Sequence, residues 1–128
     1  MILSRNITKI HKLNDKTYIL SSGMFADYQN FWRLLDNRLN WYRMNHGTEL
    51  SSTAIASLVS RMLYEKRFFP CYAFNLVVGF NDEDKPVIWN YDAIGSYGQV
   101  TYGVSGSSKL FLLPLLDNQV EQVYHYNQ

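Results

Sequence analysis

Apolar side chains recur every three or four residues between residues 28 and 42, and this is the strongest pattern in the sequence. The recurring positions are Tyr28, Phe31, Leu35, Leu39 and Tyr42. At 3.6 residues per turn they share one face of an α-helix. Asp27 suits the positive end of the helix dipole, and Gly47 can adopt the left-handed conformation that ends many helices. The pattern therefore predicts a long amphipathic helix that follows a turn at Gly23.

A second helical pattern follows a polar link at residues 48–52. Its apolar positions again share one helix face, and they are Ile55, Leu58, Val59, Met62 and Leu63. Ser51 or Ser52 is suited to cap this helix, because a serine hydroxyl can accept a hydrogen bond from an unpaired backbone N–H of the first turn. We expect the helix to end near Lys66, ahead of Pro70, and to pack close to the first helix.

Strand patterns flank the two helices. Residues 9–13 and 17–22 surround Asn14-Asp15, a dipeptide typical of turns, and are predicted to form a hairpin. Residues 71–80 are apolar on almost both sides, which predicts a central strand that is covered on both faces. Residues 86–91 are predicted to return antiparallel to that strand.

The last part of the sequence predicts a third strand at residues 99–104 and a short helix at residues 109–116 that Pro114 interrupts, while the tail after residue 118 has no clear period. This order of elements favours a single α+β domain over residues 1–128, in which a helix pair covers one face of an antiparallel sheet. Because the first strands begin abruptly and no element follows the last helix, we expect a core that is incomplete at both ends.

The composition predicts a folded, soluble, intracellular protein. Of the 128 residues, 47% are hydrophobic and 16% aromatic, and the formal net charge is +1. This balance of charges provides no electrostatic reason to expect nucleic acid or a membrane surface as a partner. Cys71 is the single cysteine, so an internal disulfide is excluded and a reducing compartment is favoured.

Side chains that could carry chemistry are scattered along the sequence. The histidines share no metal-binding motif and are interpreted as surface or capping residues: His11, His46 and His125. Cys71 is interpreted as a small buried hydrophobe, and the acidic residues 82–84 as a hairpin turn rather than a calcium loop. Residues 106–108 are interpreted as a helix N-cap rather than an anion site. The residues alone therefore predict no metal, no cofactor and no particular reaction.

Several segments resemble proteasome β subunits. At residues 12–31 a strand, a turn and a helix start carry the family's glycine turn and Ala-Asp pair, here Gly23 and Ala26-Asp27. The segments RFFP at residues 67–70 and PLLDNQ at residues 114–119 are more specific. They are most similar to the subunit type at the sixth position of the β ring. The resemblance covers nearly the whole chain.

This resemblance implies the fold of the N-terminal-nucleophile hydrolases, a four-layer αββα sandwich of antiparallel sheets between helix pairs, here truncated at both ends. Active members attack with an N-terminal threonine, which a lysine, a backbone N–H at the glycine turn and a serine support. The matching positions are Lys9, Gly23 and Ser107. The family's threonine and aspartate would lie before Met1, and Lys109 replaces a second serine. We therefore expect a vestigial pocket and no catalytic residue.

The function that the resemblance implies is that of a non-catalytic structural β subunit of the 20S proteasome core particle in ATP- and ubiquitin-dependent protein degradation. It implies a cytoplasmic and nuclear location, and other proteasome α and β subunits as partners, with assembly chaperones left open as a further partner class. Aromatic residues could anchor these neighbours: Trp32, Trp41, Tyr97 and Tyr102. Two alternatives stay open, a threonine peptidase whose nucleophile lies upstream of residue 1, and a free-standing α+β binding domain.

Overall fold

Five strands and three helices appear in the structure, a computed structural model that describes the backbone of residues 1–126 and the side chains of residues 1–121. In chain order they are β1 (Ile10–Asn14), β2 (Thr17–Gly23), α1 (Phe25–His46), α2 (Ser52–Tyr64), β3 (Ala73–Phe80), β4 (Pro86–Tyr91), β5 (Tyr97–Val100) and α3 (Lys109–Tyr126). The strands lie side by side in chain order, each antiparallel to its neighbour. This confirms the α+β class, the first hairpin and the antiparallel return of β4.

Helix α1 buries the face that its periodicity predicts. The buried side chains are Tyr28, Phe31, Trp32, Leu35 and Leu39. Tyr42, the last position of the pattern, is half-buried and stacks on His46. Gly47 ends the helix with a left-handed φ of 67°, and its N–H donates to the carbonyl of Arg43. The predicted helix and its C-terminal stop are confirmed.

Helix α2 has the predicted cap and buried face, and it ends at Tyr64, two residues before the predicted end near Lys66. Ser51 caps it, because the hydroxyl accepts a hydrogen bond from the N–H of Ala54 at 3.2 Å. Four of the five apolar positions are buried: Ile55, Val59, Met62 and Leu63. The hydroxyl of Tyr91 on β4 donates to the carbonyl of Ala56, which ties this helix to the sheet.

One face of the sheet, here called the inner face, packs against α1 and α2. Cross-strand neighbours on it include Ile19, Val77 and Trp89, and all three are buried. The helix pair and this sheet correspond to two adjacent layers of the expected four-layer sandwich. The hydrophobic core therefore lies between the helix pair and the sheet, where alternate residues of β2 and β3 place their side chains.

The prediction that the strand at residues 71–80 is covered on both faces is wrong for the described part of the chain. β3 is central, between β2 and β4, but Phe74 and Phe80 on its opposite, outer face are exposed. The reason is that α1 and α2 pack on the inner face alone, while the outer face meets the loop at residues 101–105. There Leu76 lies against Gly103 and is buried.

The third strand and the last helix differ from their predicted bounds. β5 begins two residues before the predicted start at residue 99, since Tyr97 pairs with Tyr91, and it ends at Val100. Helix α3 continues through Pro114 to Tyr126, so the predicted end near residue 116 is wrong. Pro114 lacks an N–H for the carbonyl of Leu110, but this removes one bond near the helix start and the later bonds still form. The predicted surface role of His125 lies outside the described side chains.

Candidate functional site

The three positions singled out by the family resemblance line one cavity of about 610 Å³. Lys9 precedes β1, Gly23 ends β2, and Ser107 lies in the loop before α3. Two contacts bring these distant segments together. The N–H of Ser21 donates to the carbonyl of Lys9 at 2.9 Å. The hydroxyls of Ser22 and Ser105 are hydrogen-bonded to each other.

The glycine turn has a strict steric requirement. Gly23 has a φ of 111°, and a Cβ at this position would lie 2.5 Å from the carbonyl oxygen of Tyr72. That carbonyl accepts the N–H of Met24 at 2.8 Å, and the N–H of Tyr72 donates to the carboxylate of Asp27 at 2.8 Å. Gly23 and Asp27 of the family pattern therefore lock the start of α1 to the segment that enters β3.

Three tyrosines line the cavity, and two of them, Tyr28 and Tyr91, have a raised pKa. Burial raises the pKa of Tyr28. Burial, and then the neighbouring Tyr97, raise the pKa of Tyr91, whose ring stacks on Tyr97 with centroids 5.1 Å apart. Because both phenols hold their protons more tightly than usual, neither is suited to act as a general base.

The remaining lining is basic, hydroxylic and aromatic. Lys109 lies in the cavity with Lys9, and Ser22, Ser105 and Ser107 supply hydroxyl groups. No histidine, cysteine or carboxylate is among the described residues that line it. A serine nucleophile is commonly activated by an adjacent histidine, and a lysine that carries its proton cannot replace it. The described part of the site can therefore hold a polar group but lacks the usual means of activating a hydroxyl.

The loop before α3 forms the start of the helix, as predicted for residues 106–108. Gly106 has a positive φ of 112°, and its carbonyl accepts the N–H of Lys109 at 3.1 Å. The carbonyl of Ser108 accepts the N–H of Leu112 at 2.9 Å. These are backbone bonds, so Ser107 is placed at the helix N-terminus by the turn itself.

The two histidines with described side chains make structural contacts. The Nε2 atom of His11 lies 2.8 Å from a carboxylate oxygen of Asp36, and the imidazole stacks on Trp32. His46 is exposed and stacks on Tyr42. Within residues 1–121, no group of three or more histidine, cysteine, aspartate or glutamate side chains is arranged to hold a metal ion.

Cys71 and the acidic turn have the structural roles predicted for them. The thiol of Cys71 is buried, and burial, followed by the negative charge of Asp27, raises its pKa. Residues 82–84 form an exposed hairpin turn. There the side-chain oxygen of Asn81 accepts the N–H groups of Glu83 and Lys85 at 3.0 and 2.9 Å.

A buried polar chain through Ser21, the sequence neighbour of the cavity residue Ser22, was not predicted. The indole N–H of Trp32 donates to the hydroxyl of Ser21 at 2.9 Å, and Ser21 donates to the side-chain oxygen of Asn75 at 2.6 Å. Trp32 therefore lies in the core, so its expected role as an exposed anchor is wrong. The signal in the sequence was Asn75, a polar residue in an otherwise apolar strand, which requires a buried hydrogen-bond partner.

The other aromatic residues expected to anchor neighbours are more accessible. Trp41 and Tyr97 are exposed. Tyr102 is half-buried, and its hydroxyl donates to the carboxylate of Asp117 on α3. None of the helices formed by the described residues combines the length and apolar character that crossing a membrane requires.

Comparisons with known proteins match nearly the whole chain. A family model described as Proteasome subunit matches residues 1–126. The chain is 45% identical over 120 residues to Proteasome subunit beta type-1 of Arabidopsis thaliana, an alignment that covers 94% of this chain and 54% of that protein. It is 44% identical over 119 residues to the Dictyostelium discoideum protein of the same name, covering 93% and 50%. With the Danio rerio protein of that name the identity is 37% over 119 residues, covering 93% and 50%. The chain spans about half the length of these relatives, and the matches confirm the resemblance.

Proposed function

Because the chain belongs to the proteasome subunit family, we propose that it serves as a non-catalytic structural β subunit of a 20S proteasome core particle. Its place would be the sixth position of the β ring, which the similarity to beta type-1 relatives supports. There it would join other α and β subunits and line part of the proteolytic chamber in ATP- and ubiquitin-dependent protein degradation. The corresponding location is the cytoplasm and the nucleus.

The observation that carries the non-catalytic role is the chemistry of the cavity. It retains Lys9, Gly23 and Ser107, but Lys109 stands where the family pattern has a second serine. A second lysine among the hydroxyl groups of the lining departs from that supporting set. The cavity thus keeps the three supporting positions of the family site, and Lys109 is the departure from the pattern that supports a non-catalytic role.

A catalytic threonine peptidase is the second candidate. The convergence of Lys9, Gly23 and Ser107 on one cavity favours it, because an active site needs these positions close together. In this case the nucleophile would be a threonine upstream of residue 1. It would be exposed as a free N-terminus by processing and would approach the cavity from outside the described chain.

Isolation of the protein from its native source decides between these functions. We expect it to co-migrate with other α and β subunits in a large assembly, and to begin with a residue other than a processed threonine. We also expect it to resist an electrophilic peptide inhibitor that labels N-terminal threonines. Recovery of monomer alone contradicts the ring-subunit function, whereas a labelled N-terminal threonine establishes the peptidase.

A further inference from the structure

Two adjacent phenylalanines project from the surface between α2 and β3. The side chains of Phe68 and Phe69 are 99% and 89% exposed, and Tyr64 at the end of α2 is also exposed. Apolar rings left in water are unfavourable, and adjacent large ones mark surfaces that bind another molecule. We call Phe68 and Phe69 the aromatic knob.

The backbone holds the aromatic knob in place. The N–H of Arg67 donates to the carbonyl of Tyr64 at 3.0 Å, and the N–H of Phe69 donates to that of Lys66 at 3.1 Å. Pro70 restricts the backbone that follows. Because these turns are already formed, a partner does not have to order the loop when it binds, and the entropic cost of association is lower.

The charge beside the aromatic knob is positive. A cleft of about 380 Å³ separates the knob from the first turns of α1, and Asp27 and Glu65 line it. Glu65 is paired with Arg38 at 2.7 Å, whereas Asp27 accepts the neutral N–H of Tyr72 at 2.8 Å and keeps its negative charge.

The two neighbouring cations, Lys66 and Arg67, outnumber Asp27, so the region keeps a positive excess. Lys66 and Arg67 form no ion pair with any carboxylate among the described side chains. A partner surface with carboxylates at its border therefore complements this region, whereas a basic surface does not.

From these observations we propose that the aromatic knob anchors the chain to a neighbouring subunit of its assembly, in an apolar pocket bordered by carboxylates. This rests on the proposed function as a ring subunit. Buried aromatic side chains beside arginine are typical of the few residues that dominate the affinity of an interface. A second copy of this chain is a poorer partner, because symmetric pairing through this surface would bring Lys66 and Arg67 of both copies together.

Incorporation of variants into the native assembly tests the proposal. The double variant Phe68→Ala/Phe69→Ala is compared with Met44→Ala, whose side chain on α1 is 85% exposed. Each is co-expressed with a tagged subunit of the particle. We expect the double variant to be incorporated at least about tenfold less than wild type, since it removes the anchor of an interface. We expect Met44→Ala to assemble normally.

A charge variant tests the second part of the proposal. Arg67→Glu should reduce incorporation, because it brings a carboxylate to the carboxylate border of the pocket, and Arg67→Lys should restore it. Thermal unfolding measured on the recovered protein controls for folding, and all four variants should leave it unchanged because these side chains make no core contact. Equal incorporation of Arg67→Glu and wild type would overturn the predicted acidic border.

Photocrosslinking identifies the partner directly. Replacement of Phe68 by photoreactive p-benzoylphenylalanine should link the chain to a peptide of another subunit that contains apolar and acidic residues. A link to a second copy of this chain, or full incorporation of the double alanine variant, overturns the proposal while the ring function stands. If wild type itself is absent from any assembly, the ring function fails first.

Discussion

The inner and outer faces of the sheet both carry apolar side chains, yet among the described residues helices cover only the inner face. On the inner face Ile19 and Val77 are completely buried beneath α1 and α2. On the outer face Tyr18 and Phe80 are exposed and border an open groove of about 810 Å³. Alternation along a strand therefore identifies which residues share a face, but it does not show whether another element covers that face.

The two faces also contribute differently to the functions proposed for the chain, although the inner-face residue Tyr91 lines the candidate site as well. Inner-face residues hold the fold, through apolar packing and the chain from Trp32 to Asn75. Outer-face residues Ser22, Phe74 and Asn90 line the candidate site. A substitution on the inner face should therefore act on stability, and one on the outer face on binding or assembly.

The largest effect should come from truncating a core aromatic residue. Phe31→Ala removes an almost completely buried ring and should lower the free energy of unfolding by about 4 kcal/mol. Phe80→Ala on the outer face should cost about 1 kcal/mol, because its ring is already partly in water. Urea unfolding of the purified protein measures both, and equal losses would show that the outer face is covered in solution.

The next largest difference in stability is expected between alanine substitutions at two glycines. Gly23→Ala places a Cβ against the carbonyl of Tyr72 at a φ of 111° and should cost about 3 kcal/mol. Gly47→Ala has open space around it at a φ of 67° and should cost only about 1 kcal/mol. Thermal unfolding separates them, and the steric argument fails if both variants melt alike.

Adjacent serines on opposite faces provide a smaller contrast. Ser21→Ala breaks the buried chain between Trp32 and Asn75, and should cost about 2 kcal/mol because two buried polar groups lose a partner. Ser22→Ala loses its bond to Ser105 at the cavity and should cost less than about 1 kcal/mol. A greater loss for Ser22→Ala in denaturant unfolding would contradict the assignment of the polar core to the inner face.

The smallest effect should come from the exposed ion pair between α1 and the end of α2. The hydrogen bond from Arg38 lowers the pKa of Glu65 below its ordinary value of 4.5. Because the carboxyl pKa is lower in the folded state than in the unfolded state, the ion pair stabilises the fold at pH values above the ordinary pKa. This stabilisation is lost as the pH falls through the folded-state pKa. Because the pair is exposed, Glu65→Gln should cost at most about 0.5 kcal/mol at neutral pH. A pH series of unfolding measurements should show the difference disappear in acid, and a difference that grows there would contradict this sign.

Local elements were predictable because their signals are local. The spacing of Tyr28, Phe31, Leu35 and Leu39 specifies one helix face whatever surrounds it, and Gly47 stops the helix through its own backbone freedom. The residues of the candidate site could not be predicted from local signals. Lys9, Gly23 and Ser107 were named from the family resemblance, since no local spacing connects them.

The sequence by itself determined the two amphipathic helices, the hairpins and the α+β class, since these depend on the direction of each side chain relative to its own backbone. Only the tertiary structure decided which sheet face is covered, why Trp32 is buried, and that the family positions share one cavity. Those outcomes depend on contacts between distant segments, such as the hydrogen bond between Ser22 and Ser105, which are 83 residues apart. The periodicity of a segment carries no information about such pairs, because the two residues come into contact only after the helices and strands have packed.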